Sequence, residues 1–166
     1  VIINTPNNPT GVVYSEETLK AIADILNKKS AKTGRPIYII SDEPYRELVY
    51  DGIKVPFVPD YYNNTFIAYS YSKSLSLPGE RIGYVCVNSA ADGFDDIVSC
   101  LNVADRICGF VSAPTLWQKV IPYCADLEVD ISVYEQNRKD LYNMLTELGY
   151  ECVKPQGAFY MFPKTL

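Results

Sequence analysis

Apolar and polar positions along this chain follow two different periods. Val1-Ile2-Ile3-Asn4 is an apolar, β-branched run and reads as the end of a buried strand. A turn-rich stretch follows, Pro6-Asn7-Asn8-Pro9-Thr10-Gly11. Leu19, Ile22, Ala23 and Leu26 then recur at helical spacing. Ser15 stands before them as an N-cap, and Glu16 and Glu17 fall in the first turn, where carboxylates favour the helix dipole. Gly34 and Pro36 end that helix. Ile37 to Ile40 predicts a second buried strand, which runs out at Ser41-Asp42-Glu43. Thr65 to Tyr69 predicts a third and Ile82 to Val87 a fourth.

Strand, helix and strand with continuous apolar strands argue for parallel pairing through helical crossovers, an α/β fold. The stretch from Tyr69 to Ile82 is short and polar. It cannot hold a crossover helix, so the fourth strand is expected antiparallel to the third. From about Ala91 to about Leu148 the pattern is helical, with Pro114 opening one helix and Pro122 interrupting it. Ile131, Tyr134, Leu141, Leu145 and Leu148 mark the apolar face of a last long helix, and Gly149 is its C′ residue. Glu151 to Val153 and Phe159 to Phe162 read as two short strands around Pro155-Gln156-Gly157. A domain change is expected within the long helices, dividing the chain into residues 1–125 and 126–166.

Composition narrows the chemistry. The 166 residues are 48% apolar and 21% charged, enough to bury a core. Fifteen basic residues against 20 acidic ones give a formal charge of −5, which argues against nucleic acid as a partner. No apolar run reaches the roughly 20 residues of a membrane span. There is no histidine, which removes Ser-His-Asp triads, Cys-His dyads and His-ligated zinc. Cys86, Cys100, Cys108, Cys124 and Cys152 are odd in number and widely spaced. They predict no disulfide framework and no metal site, fit a reduced, cytoplasmic compartment, and read as core filler.

Candidate chemistry gathers at the carboxyl ends of the strands, where open α/β sheets bind ligands. The first strand leads to Asn7 and Asn8, the second to Asp42, Glu43 and Tyr45, the third to Ser70, Ser72 and Lys73, with Arg81 on the way to the fourth. Ser70, Ser72 and Arg81 together offer two hydroxyls and a guanidinium fork to a phosphate. Asp42, at the end of an apolar strand, wants a cationic partner, and Lys73 is one cation nearby. A lysine beside a phosphate pocket also serves as a Schiff-base nucleophile. Carboxylate, lysine, phosphate receptor and tyrosine hydroxyl are what pyridoxal 5′-phosphate needs. Taken singly, each residue has a plainer reading: Asn8 as turn chemistry, Asp42 as a cap or surface carboxylate, Lys73 as a solvated loop lysine. Glu43 reads as structural, and Trp117 as packing.

Four segments carry a resemblance. Asn8-Pro9-Thr10-Gly11, Asp42-Glu43-Pro44-Tyr45, Ser70-Tyr71-Ser72-Lys73 with Gly79-Glu80-Arg81-Ile82-Gly83, and Pro155-Gln156-Gly157-Ala158-Phe159-Tyr160 resemble, in order and spacing, motifs of the class I/II pyridoxal-phosphate aminotransferases of fold type I. The resemblance implies a partial, mostly parallel sheet of that fold's large domain (residues 1–125) and an interdomain helix with the start of the small domain (126–166). It implies Lys73 as the lysine of the internal aldimine and the proton shuttle. Asp42 becomes the partner of the pyridinium nitrogen, Asn8 and Tyr45 the partners of the phenolic oxygen, and Ser70, Ser72 and Arg81 the phosphate contacts. A cis Asn8-Pro9 bond is expected on the same ground.

The expected activity is transamination between an amino acid, aspartate by commonness, and a 2-oxo acid, in a homodimeric parent. A carbon–sulfur β-lyase on the same scaffold is the alternative enzyme, and a non-catalytic structural fragment the alternative of another class. The opening inside an apolar run, and the absence of any match to the family's substrate-carboxylate arginine and ring-stacking residue, lead us to expect a central fragment. Alone it is expected to be inactive and to pair its open sheet edge.

Overall fold

The structure, a computed structural model, describes residues 1–124 and 126–165. Four strands form one sheet in the order β1 (Ile2–Asn4), β2 (Ile39–Asp42), β3 (Thr65–Ser70) and β4 (Gly83–Val87). The first three are parallel and β4 runs antiparallel to β3, as the short Tyr69–Ile82 connection requires. That connection holds one helical turn, α2 (Tyr71–Ser74), and a 3-10 turn at Pro78–Glu80. This is the mixed α/β sheet expected from the sequence.

Helix α1 (Glu16–Thr33) is the crossover between β1 and β2. Ser15 caps it by accepting from the Thr18 amide at 3.2 Å, and Gly34 ends it in the left-handed region with φ 68°. Leu19, Ala23 and Leu26 are buried against Ile3, Ile39, Val58 and Tyr62. Among the described residues this side of the sheet is the better covered one. Ile3 and Ile39 point into it, while Ile2 is 73% and Ile40 40% exposed. Both runs look buried in sequence because both faces are apolar, but among the described residues α1, with Val58 and Tyr62 from the segment before β3, covers the face of Ile3 and Ile39.

The helical region resolves into α3 (Phe94–Ile107), α4 (Thr115–Val120) and α5 (Ser132–Glu147). Pro114 takes the N-cap position of α4, and Pro122 lies in the 3-10 turn that follows it. The expected apolar face of α5 is largely open: Leu141 and Leu148 are exposed. The buried residue of α5 is Arg138, whose Nη1 and Nη2 each donate to Asp51 at 2.9 Å while Nη1 also reaches the Pro155 carbonyl at 2.8 Å. The cysteines are not core filler either. All five are free; Cys86, Cys100 and Cys108 are exposed, and Cys124 and Cys152 are partly so.

The two short C-terminal strands do not form. Only isolated bridges occur, Cys152 with Pro163 and Val49 with Gly157. The reason lies in where the backbone groups go. The Gln156 and Gly157 amides both donate to the Gly11 carbonyl, at 2.8 and 2.9 Å, the Ala158 amide donates to Leu48, and Gln156 accepts from Tyr50. Glycine is required on both sides of this seam. A Cβ on Gly157 would sit 2.7 Å from Pro6 Cβ and 2.8 Å from the Leu48 carbonyl, and one on Gly11 would sit 2.5 Å from Pro155 Cβ. Pro155, Gly157 and Ala158 are thereby buried against the turn after β1 and the loop after β2.

Candidate active site

Register sets the site. Asn4 pairs with Asp42, and Asp42 with Ala68, so β1 and β2 end at one level and β3 runs two residues further, to Ser70. The polar residues that follow each strand therefore emerge on one edge. Asn4 ties two of these ends together: its Nδ2 donates to the Asp42 carbonyl at 2.9 Å and carboxylate at 3.1 Å, and its Oδ1 accepts from the Asn8 amide at 2.6 Å. Asn7 Oδ1 closes the turn by accepting from the Thr10 amide and hydroxyl. The Asn8-Pro9 bond is cis, as expected; the Thr5-Pro6 bond is cis as well, which the sequence did not announce.

Tyr45 is buried and sits at the centre of the cluster. Asn8 Nδ2 lies 3.4 Å from its hydroxyl, and the Tyr160 hydroxyl lies 3.0 Å away on the other side. Burial pushes the Tyr45 phenol far above its ordinary range, and the Tyr160 hydrogen bond pushes it further. Lys73 Nζ is 5.8 Å from the Tyr45 ring centroid and 5.2 Å from that of Phe159. This amine stands over aromatic faces and makes no ion pair with Asp42, so the cationic partner expected for that carboxylate is not Lys73.

Asp42 has no ion pair among the described residues, and burial raises its carboxyl above the usual aspartate value. Ser70 and Ser72 meet: their hydroxyls are 2.7 Å apart, and Ser70 also accepts from the Ser72 amide at 3.1 Å. Arg81 stands apart from that pair in its bonding. It is exposed, adopts φ 52°, and its Nη1 donates to the Pro78 carbonyl at 2.8 Å. Glu43 is structural: Ser41 and Arg46 occupy its two carboxylate oxygens at 2.7 and 2.6 Å. Trp117 is half-buried and donates its indole N–H to Glu80, beside Arg81.

Asn4, Phe159 and Tyr160 were not singled out by sequence reasoning. Asn4 looked like the last residue of a strand. Phe159 and Tyr160 lay inside a segment with no assigned role. Its glycine and proline, set 146 residues beyond Gly11 in the case of Gly157, are the signal that it returns to the first turn.

The model of the family described as aminotransferase class I and II matches residues 1–165. This chain belongs to the class I and II aminotransferases. It is 35% identical over 171 aligned residues to a probable aspartate/prephenate aminotransferase of Aquifex aeolicus, and 34% identical to an aspartate aminotransferase of Geobacillus stearothermophilus. Each match covers 98% of this chain and 41% of the relative, so the chain spans about two fifths of the length of these relatives. Among solved structures, an amino transferase from Eubacterium rectale superposes with a TM-score of 0.96 at 59% identity, covering 98% of this chain and 41% of that one. An aspartate aminotransferase from Thermotoga maritima gives 0.81 at 28%, covering 99% and 41%. The aminotransferase fold is thus present here as the sheet edge that brings Asn8, Asp42, Tyr45 and Lys73 together. Among the described residues no helix is long and apolar enough to cross a membrane.

Proposed function

We propose that the whole protein transfers an amino group between an amino acid and a 2-oxo acid with pyridoxal 5′-phosphate bound at this sheet edge. The observation that carries the reading is a half-buried Asp42, with no ion pair among the described residues, on the same sheet edge as a lysine amine standing over Tyr45. A carboxylate raised by burial gains most from a cationic partner, and a protonated pyridine nitrogen is such a partner. The donor set suits the rest of the group. Asn8 Nδ2 and the Tyr45 hydroxyl serve a phenolic oxygen, and the Ser70 and Ser72 hydroxyls with Arg81 serve a phosphate.

When bound, the cofactor supplies the electron sink for the pair left as the substrate's Cα–H bond breaks. The chain's own residues do the rest. Lys73 Nζ is the amine for the cofactor's aldehyde and the base that takes and returns the Cα proton. The Asp42 carboxylate holds the proton on the ring nitrogen, and Asn4 holds that carboxylate in place. The buried Tyr45 hydroxyl stays protonated and donates. Residues 1–125 are assigned to the cofactor-binding domain and 126–166 to the interdomain helix and the start of the next one.

Aspartate is the first donor to try, because the relatives named above include aspartate aminotransferases. A homodimer in the cytoplasm completes the reading on family membership. Product analysis of the whole protein with cofactor, a donor panel and an added 2-oxo acid tests it. A new amino acid formed from the oxo acid is expected. Pyruvate and ammonia from cysteine-like donors, without transfer, would mean β-elimination instead, and no reaction with bound cofactor would mean a non-catalytic role.

A further inference from the structure

Tyr160 shares a hydrogen bond with Tyr45, and only one of the two hydroxyls can donate in it. The Tyr45 oxygen also receives Asn8 Nδ2. If Tyr160 donates as well, both acceptor positions of the Tyr45 oxygen are filled and its own proton is free for a third group. If Tyr45 donates to Tyr160, that proton is lost to the site. A phenolate-type oxygen beside Tyr45 can only accept, and a charge-assisted bond outweighs a neutral one. The proton of Tyr45 then turns outward, and Tyr160 must donate to Tyr45. Each bond in such a chain polarises the next.

Tyr160 is held firmly enough to impose this. Its ring packs at 5.8 Å edge-on to Tyr45 and at 4.8 Å from Phe159. Two residues before it, Ala158 is fully buried with φ 57°; its amide donates to Leu48 and its carbonyl accepts from Tyr50 at 2.5 Å. The ionisable groups facing Tyr45 are Tyr160 from this segment, Asp42 from the end of β2 and Lys73 from α2.

We infer that Tyr160 is a positioning residue for the cofactor's phenolic oxygen: its hydroxyl donates to Tyr45 and so commits the Tyr45 proton to that oxygen. The inference rests on the proposed cofactor site. The ring oxygen carries its fullest negative charge in the high-pH form of the Lys73-bound cofactor. A donor to it favours that form, and loss of the donor moves the titration midpoint up.

The test is a pH titration of the visible absorbance of the bound cofactor in the whole protein, in wild type, Tyr160→Phe, Tyr45→Phe and the double variant. Phenylalanine keeps both rings in place. Tyr160→Phe is expected to raise the midpoint by about half a unit to one unit, the worth of one hydrogen bond. Tyr45→Phe is expected to raise it by more, and the double variant to match Tyr45→Phe, since Tyr160 acts only through Tyr45. An unshifted midpoint in Tyr160→Phe overturns the inference, and so do additive shifts. A wild-type protein with no cofactor band overturns the cofactor site itself, a distinguishable failure that takes the inference with it.

Discussion

Asn4 Nδ2 donates to both the carbonyl and the carboxylate of Asp42, tying the end of β1 to the end of β2. Among the described residues the carboxylate so held has no cationic partner, and burial raises its pKa. The sign of the consequence is definite. A carboxyl whose folded pKa lies above its unfolded value binds protons more readily in the folded state. Stability then falls as pH rises from below the usual aspartate value through the raised folded value, and the cost is fully present at pH 7.

Asp42→Asn removes that cost. In the cofactor-free whole protein it is expected to raise the thermal midpoint at pH 7, with the advantage vanishing in acid below the ordinary aspartate pKa. The same variant is expected to bind cofactor more weakly. Thermal melts across pH, with and without pyridoxal 5′-phosphate, check both signs. An equal melting shift at every pH would contradict the account.

Arg138 gives a second prediction. Its guanidinium is buried over the Tyr50 ring at 4.4 Å, forked onto Asp51, and bonded to the Pro155 carbonyl, while its Nε has no partner among the described residues. A lysine cannot reproduce the fork. Arg138→Lys is expected to recover only part of the stability lost in Arg138→Ala, and Arg138→Ala is expected to cost more than Asp51→Ala, because Asp51 is half-exposed. Urea unfolding of the three variants gives the order.

Tyr50 offers a smaller and cleaner change. Its buried hydroxyl donates to the Ala158 carbonyl, and Tyr50→Phe strips that acceptor while leaving the ring. A loss of about 1–3 kcal/mol is expected, the range for orphaning a buried polar group. Gly157→Ala is expected to be worse than its small size implies, since the Pro6 ring and the Leu48 carbonyl must both shift. Denaturant midpoints measure both.

Much of this was legible beforehand. The antiparallel direction of β4 against β3 followed from a connection too short for a crossover, and α1 from Ser15, its apolar spacing and Gly34. Asn8, Asp42, Tyr45 and Lys73 were readable because each follows a strand end, and parallel register brings such ends to one edge. What stayed hidden depends on contacts between distant segments. Residues 159–162 form a continuous apolar run like a buried strand, yet the backbone before them is taken up by Gly11, Leu48 and Tyr50. Tyr160 therefore gave no sign that it meets Tyr45, 115 positions away. The α5 stripe looked like a core face because apolar spacing does not say whether a covering layer is present, and Arg138 took the buried place through its ion pair.

Lys73 carries the central claim, and covalent trapping tests it most directly. The whole protein is incubated with pyridoxal 5′-phosphate, reduced with borohydride, digested and mapped by mass spectrometry. The cofactor mass is expected on the peptide containing Lys73, absent from Lys73→Ala, with transamination in that variant reduced by at least about 10²–10⁴-fold. Label on another lysine, or label that persists in Lys73→Ala, would contradict the account.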